Sequence, residues 1–179
     1  MDRVRRLLGA LFVLVIAALV VLVVAVRPGL RDDAEQVDTS WKPLIQPLAA
    51  RYDALRAVVT SLQGAGAGER TVTLELTRLL DRWAIVRVGT DAEEQVATAN
   101  QIEAVAARAD VLARTPRLAD DNALTTSIAT FEKLRPPTDT LDSYQGDVAK
   151  YQQRRDGFLS RIVARLDGYP MRPTLRLVG

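Results

Sequence analysis

The sequence contains no cysteine and no histidine among its 179 residues. Without cysteine there is no disulfide, no thiolate nucleophile and no residue to acylate, so the chain is not a lipoprotein and its redox compartment is unmarked. Without histidine the Ser-His-Asp and Cys-His pairs of nucleophilic catalysis are excluded, and with them the commonest metal ligand and proton shuttle. Aromatic residues are scarce, at 5%. The Val/Ile/Tyr/Phe-rich alternation of a sheet protein is missing, and the abundance of Ala, Leu, Arg, Asp, Glu and Gln favours helices. A basic domain is missing too. The net charge is +2, but residues 1–31 hold five arginines against one aspartate, leaving 19 basic and 21 acidic side chains for the remainder. The pI near 9.2 belongs to that first stretch. Nucleic-acid binding, which needs a basic face, is set aside. No cofactor is read from the sequence.

What the chain does have is one long apolar run. Residues 7–26 pass without a charge, an amide or a hydroxyl. At about 1.5 Å per residue they reach roughly 30 Å, the thickness of a bilayer's hydrocarbon core, so a transmembrane helix is expected there. Arg3, Arg5 and Arg6 precede it, whereas Arg27 and Arg31 beyond it are diluted by Asp32, Asp33 and Glu35. The positive-inside rule then puts residues 1–6 in the cytoplasm and the rest of this cell-membrane protein outside. A cleaved signal peptide is the competing reading. Its apolar region is normally about 7–15 residues and ends in an A-x-A-like site; this run is longer and Val23-Val24-Ala25 is a poor match.

From residue 30 the apolar residues recur at alternating steps of four and three. Leu30, Ala34, Val37, Trp41, Leu44, Leu48, Leu55, Val58 and Leu62 form a heptad seam, with Arg51 its only polar position and Tyr52 beside it. The register continues through Pro43 and Pro47, which predicts one long helix kinked near 43–47. A fresh start at Ser40 is the alternative. Gly64–Gly68 reads as a flexible interhelical linker. No Lys-Ser/Thr follows it, as a phosphate-binding loop requires. Val72, Leu76, Leu79, Trp83 and Val86 predict a second helix near 70–88, stopped by Gly89. Thr90–Glu93 reads as a capping box with Thr90 as N-cap. A third helix to about Arg114 follows, with a seam through Val96, Ala99, Ile102, Ala106 and Ala109. Asp120 or Asp121 caps a fourth carrying Leu124, Ile128, Phe131 and Leu134. After Pro136-Pro137, Thr138 or Asp139 starts a last helix through Leu141, Tyr144, Val148, Tyr151, Phe158, Ile162 and Leu166, with Arg155 in one apolar slot. Gly168 stops it. The expected fold is all-α: an antiparallel up-and-down bundle of four to five amphipathic helices over residues 30–168, with residues 169–179 as an extended or mobile tail.

Two stretches carry a resemblance. Val37-Asp38-Thr39-Ser40-Trp41 is followed by Leu48-Ala49-Ala50-Arg51-Tyr52-Asp53-Ala54-Leu55. Further on, Leu79-Leu80-Asp81-Arg82-Trp83-Ala84 leads to Thr90-Asp91-Ala92-Glu93-Glu94-Gln95 and to Leu112–Leu118. In these residues and their order the chain resembles the LemA family of bacterial proteins, best over residues 1–120. The resemblance implies an N-terminal membrane helix followed by an antiparallel helical domain, and it implies no catalysis. The chain departs from the family where Pro136-Pro137 interrupts what is normally one helix and where the family's Tyr-Asn repeat is missing.

Candidate chemistry is thin. Asp32-Asp33, Glu93-Glu94 and Asp120-Asp121 are adjacent carboxylates, but neighbours on a helix point about 100° apart, and all three pairs fall at predicted helix starts, where they cap free amides. Trp41 and Trp83 sit on seam positions, which favours core packing over an aromatic ligand box. Arg51 and Arg155 each occupy an apolar slot, and either snorkel or pair with an acid from another helix. A buried polar pocket between them is the candidate ligand site, and Arg51, Arg155, Trp41, Trp83 and Tyr52 are the candidate buried polar or interaction positions. The leading reading is a membrane-anchored scaffold or accessory of the bacterial envelope. Other envelope proteins are its partners, and a homo-oligomer through the seam stays open. A ligand-sensing bundle working with a second membrane protein is the alternative, and a cell-wall enzyme ranks third.

Overall fold

The structure, a computed structural model, describes the backbone of residues 2–178 and the side chains of Leu14, Ala17, Val21 and residues 25–178. It is all-helical over these residues: α1 (Asp2–Leu62), a π-type turn (Gln63–Ala67), α2 (Thr71–Val86), α3 (Ala92–Ala113), α4 (Asn122–Lys133), α5 (Thr138–Arg155) and α6 (Phe158–Asp167). Among the described residues no helix is long and apolar enough to cross a membrane. The span expected at 7–26 lies, apart from Leu14, Ala17, Val21, Ala25 and Val26, outside the described side chains. The chain divides into two compact units, one of residues 1–37 and 146–172, the other of residues 38–145 and 173–179.

In the second unit, α1 runs unbroken through Pro43 and Pro47, so the helix does not restart at Ser40. Its seam residues Trp41, Leu44, Leu48, Leu55, Val58 and Leu62 are all buried. Fully burying one such side chain is worth about 1.5–3 kcal/mol, so the six together outweigh the cost of about 3 kcal/mol or more that each of the two prolines brings. The expected flexible linker is instead an ordered turn. Gly66 takes φ 78° there, a conformation that suits glycine, and Ala67 is buried with its carbonyl accepting from Thr73 Oγ1 at 2.9 Å. α2 returns antiparallel to α3: Arg82 pairs with Glu94 at 3.0 Å and Arg108 with Glu75 at 2.8 Å. α1 and α3 run parallel, because Trp41 meets Gln95 and Arg51 meets Glu103.

Several local expectations shift. Asp91, and not Thr90, caps α3, its Oδ1 accepting from the Glu94 N–H at 3.0 Å. The pattern fits both residues, but Asp91-x-x-Glu94 is the pair that lies one residue nearer the first helical turn. Asp121 caps α4 by accepting from the Leu124 N–H. Asp32-Asp33 starts no helix, since α1 is continuous there. Leu134 lies beyond the end of α4 and is 36% exposed.

In the first unit, α5 runs antiparallel to residues 29–36 of α1. Gln36 Nε2 donates to Asp147, the buried Asp33 pairs with Lys150 at 3.2 Å and Arg154 at 2.9 Å, and Arg154 Nη1 donates to the Gly29 carbonyl. The predicted last helix breaks at Gly157, which gives six helices among the described residues where four to five were expected. The break changes the phase of the pattern. α6 buries Ser160, Val163 and Ala164, while the predicted seam residues Phe158, Ile162 and Leu166 face outward.

Candidate functional site

Arg51 stands where the seam of α1 requires an apolar side chain, and it is fully buried. Its partner is Glu103, which α3 presents beside the seam residue Ile102. Arg51 Nε donates to Glu103 Oε1 at 2.8 Å and Nη2 to Oε2 at 3.0 Å, a two-point contact of planar groups. Only 1% and 0% of the two side chains are exposed. The remaining donors meet backbone. Nη1 donates to the carbonyls of Phe131 and Leu134, each at 3.1 Å, and Nη2 to that of Val178 at 3.0 Å. All five guanidinium N–H groups are therefore satisfied. Two of these acceptors lie at the end of α4, which stops before Pro136 and Pro137; the Phe131 carbonyl accepts from the Leu134 N–H at 3.2 Å as well as from Arg51. A cation at a helix C-terminus also complements the dipole. Finally, Arg51 Cζ lies 3.9 Å from the centroid of the Phe131 ring.

The second half of the site is the 173–178 segment. Expected as an extended or mobile tail, it has no regular secondary structure but is held along its length, with Leu175 buried. Asn100 of α3 grips it at two points, Nδ2 donating to the Thr174 carbonyl at 2.9 Å and Oδ1 accepting from the Arg176 N–H at 2.8 Å. Tyr144 Oη donates to the Pro173 carbonyl and Gln145 Nε2 to that of Leu175. The Val178 N–H donates to Glu103 Oε2 at 3.0 Å, so the Arg51–Glu103 pair binds both backbone polar groups of Val178. Every one of these contacts reads backbone. A cavity of about 50 Å³ lies beside Val178, lined by Leu55, Val58, Ala106, Ile128 and Phe131. That is well below the roughly 300–1,000 Å³ typical of small-molecule pockets.

Tyr52 packs next to the pair. Its ring meets Trp83 edge-on at 5.1 Å, and its hydroxyl faces the Ala99 carbonyl at 3.4 Å. Burial pushes the Tyr52 phenol well above its ordinary value and the Glu103 carboxylate pushes it further, against the opposing pull of Arg51. Trp41 is a core residue that also makes a polar contact. Its Nε1 donates to Gln95 Oε1 at 2.6 Å, while Gln95 Nε2 donates to the carbonyls of Val86 and Gly89 at and beyond the end of α2. The Trp41 ring lies 5.2 Å from that of Tyr144.

Arg51, Tyr52, Trp41 and Trp83 thus all belong to the core of the second unit. Arg155 belongs to the first, where Nε donates to the Tyr169 carbonyl at 3.2 Å and Nη1 to Met171 Sδ. Among the described residues no three acidic side chains converge as a metal ion requires. Sequence reasoning passed over Glu103, Asn100 and Gln95. The available signal was the unmatched charge of Arg51: Glu103, four residues after Ala99 and three before Ala106, is the acid that shares the α3 seam. No family model, no curated protein and no solved structure matches this chain.

Proposed function

We propose that the chain is a single-pass membrane protein of the LemA type whose helical part acts outside the cell membrane by contact, as a non-catalytic scaffold or accessory of the bacterial envelope. The observation that carries the non-catalytic reading is the state of Glu103. It is the deepest carboxylate of the described core, and both its oxygens are held by Arg51 and the Val178 N–H. A general base or nucleophile needs a free lone pair facing a cleft, and a general acid a proton it can release there. Of the predicted site residues, Arg51 is taken up by Glu103 and backbone carbonyls, and Trp41, Tyr52 and Trp83 are buried.

The anchored topology rests on the apolar run at 7–26 and on the arginines before it. Leu14 and Val21 on α1 are each 67% exposed, as lipid-facing side chains are. Because the chain has no cysteine, single-cysteine variants report topology directly. A membrane-impermeant maleimide added to intact cells labels Glu69→Cys and leaves Asp2→Cys unmodified. The reverse pattern, or extraction of the chain by alkaline carbonate, overturns the reading.

A further inference from the structure

α6 presents an apolar row to solvent that nothing in its own unit covers. Phe158 is 82% exposed, Leu166 71% and Ile162 37%. The three are spaced four apart, so they form one stripe along the helix. Arg161 and Arg165, also four apart and exposed, fall on the adjoining flank of the same outer face. The opposite face, through Ser160, Val163 and Ala164, is buried. An isolated exposed leucine needs no explanation, but an exposed Phe-Ile-Leu row bordered by arginines does.

The position of the helix identifies what covers the row. Its end is fastened to Arg27, whose Nε donates to Asp167 Oδ2 at 2.7 Å. Just before it, Arg154 at the end of α5 donates to the Gly29 carbonyl at 2.8 Å. The end of α6 is therefore tied to residue 27 of α1, and the last turn of α5 that leads into it to residues 29 and 33. Asp167 holds the end of this ten-residue helix at the level of residue 27 of α1. That level is the first turn beyond residue 26.

We propose that α6 is an interfacial helix. It lies in the headgroup layer of the membrane that residues 7–26 cross, with Phe158, Ile162 and Leu166 reaching the acyl boundary and Arg161 and Arg165 extending to lipid phosphates. This rests on the anchored reading above. An amphipathic helix with an aromatic and aliphatic row beside arginines has the composition of an in-plane helix, and long arginine side chains keep their charge at the phosphates while their stems follow the apolar surface.

The test uses the full chain reconstituted in vesicles of phosphatidylcholine and phosphatidylglycerol, with an environment-sensitive fluorophore on single cysteines at Phe158→Cys, Ile162→Cys, Leu14→Cys and Glu69→Cys. The expected result is blue-shifted emission at 158 and 162, quenched by lipid spin-labelled near the headgroup and shielded from an aqueous quencher. Position 14 responds to a deep spin label, and position 69 only to the aqueous quencher. Aqueous quenching at both 158 and 162 with position 14 in lipid overturns the interfacial helix and leaves the anchor standing. Aqueous quenching at 14 overturns the anchor, and the inference with it. Shielding at 158 that grows with protein density in the vesicle makes a second copy the occupant and overturns the lipid assignment.

Discussion

Arg51 of α1 and Glu103 of α3 grip each other through two hydrogen bonds of 2.8 and 3.0 Å, with almost no solvent contact. Such a pair is weak evidence for stability as a pair and strong evidence for mutual dependence, because removing either charge leaves the other buried alone. Arg51→Met and Glu103→Gln are each expected to lose about 3–5 kcal/mol in denaturant unfolding followed by circular dichroism. The double variant Arg51→Met/Glu103→Gln should lose clearly less than the two single losses combined. Strict additivity would mean that the pair is not coupled.

The grip of Asn100 on residues 174 and 176 is testable by amide exchange. Asn100→Ala removes a donor and an acceptor at once and leaves the Arg176 N–H without its partner. Arg176 is exposed, so the loss is that of one net hydrogen bond, about 0.5–1.5 kcal/mol, and its amide should exchange roughly two- to tenfold faster while α3 keeps its protection. Unchanged exchange at Arg176 would show that Leu175 burial alone holds the segment.

Tyr52 sets an alkaline limit. Its folded phenol titrates above the ordinary tyrosine value of 10.0, chiefly because it is buried. Below about pH 10 both folded and unfolded states keep the proton and the stabilisation is fully present. Above it the unfolded chain releases the proton and the folded chain does not, so stability falls as pH rises. Unfolding midpoints should decline above about pH 10 in the native sequence and decline less in Tyr52→Phe. An equal decline in both would remove Tyr52 as the cause.

The start of α3 separates two adjacent residues. Asp91→Ala, which deletes the acceptor for the Glu94 N–H, is expected to cost about 1 kcal/mol. Thr90→Ala should stay within about 0.5 kcal/mol, as surface changes do. The opposite ranking in urea titrations would return the cap to Thr90.

The α1 seam was legible because heptad spacing and burial coincide at Trp41, Leu44, Leu48, Leu55, Val58 and Leu62. Arg51 was legible for the converse reason: a charge in an apolar register needs an explanation. Glu103 escaped because an acid on a long, charged helix resembles any solvated residue until its partner is known. The 173–178 segment escaped for a deeper reason. It is held through peptide groups that every residue shares, and an extended segment bound that way leaves no periodic trace. The α6 row escaped because Gly157 interrupts the helix, so a pattern continued across it names the wrong face.

Arg51 and Val178 are 127 positions apart, yet each completes the other's surroundings. A ribosome that has released α1, α3 and α4 has not yet supplied the N–H and carbonyl of Val178 that occupy one lone pair of Glu103 and one guanidinium N–H. Biosynthesis must therefore reach residue 178 before the interior charge pair attains its final coordination, so the first long helix to be made waits on the 173–178 segment to finish its core.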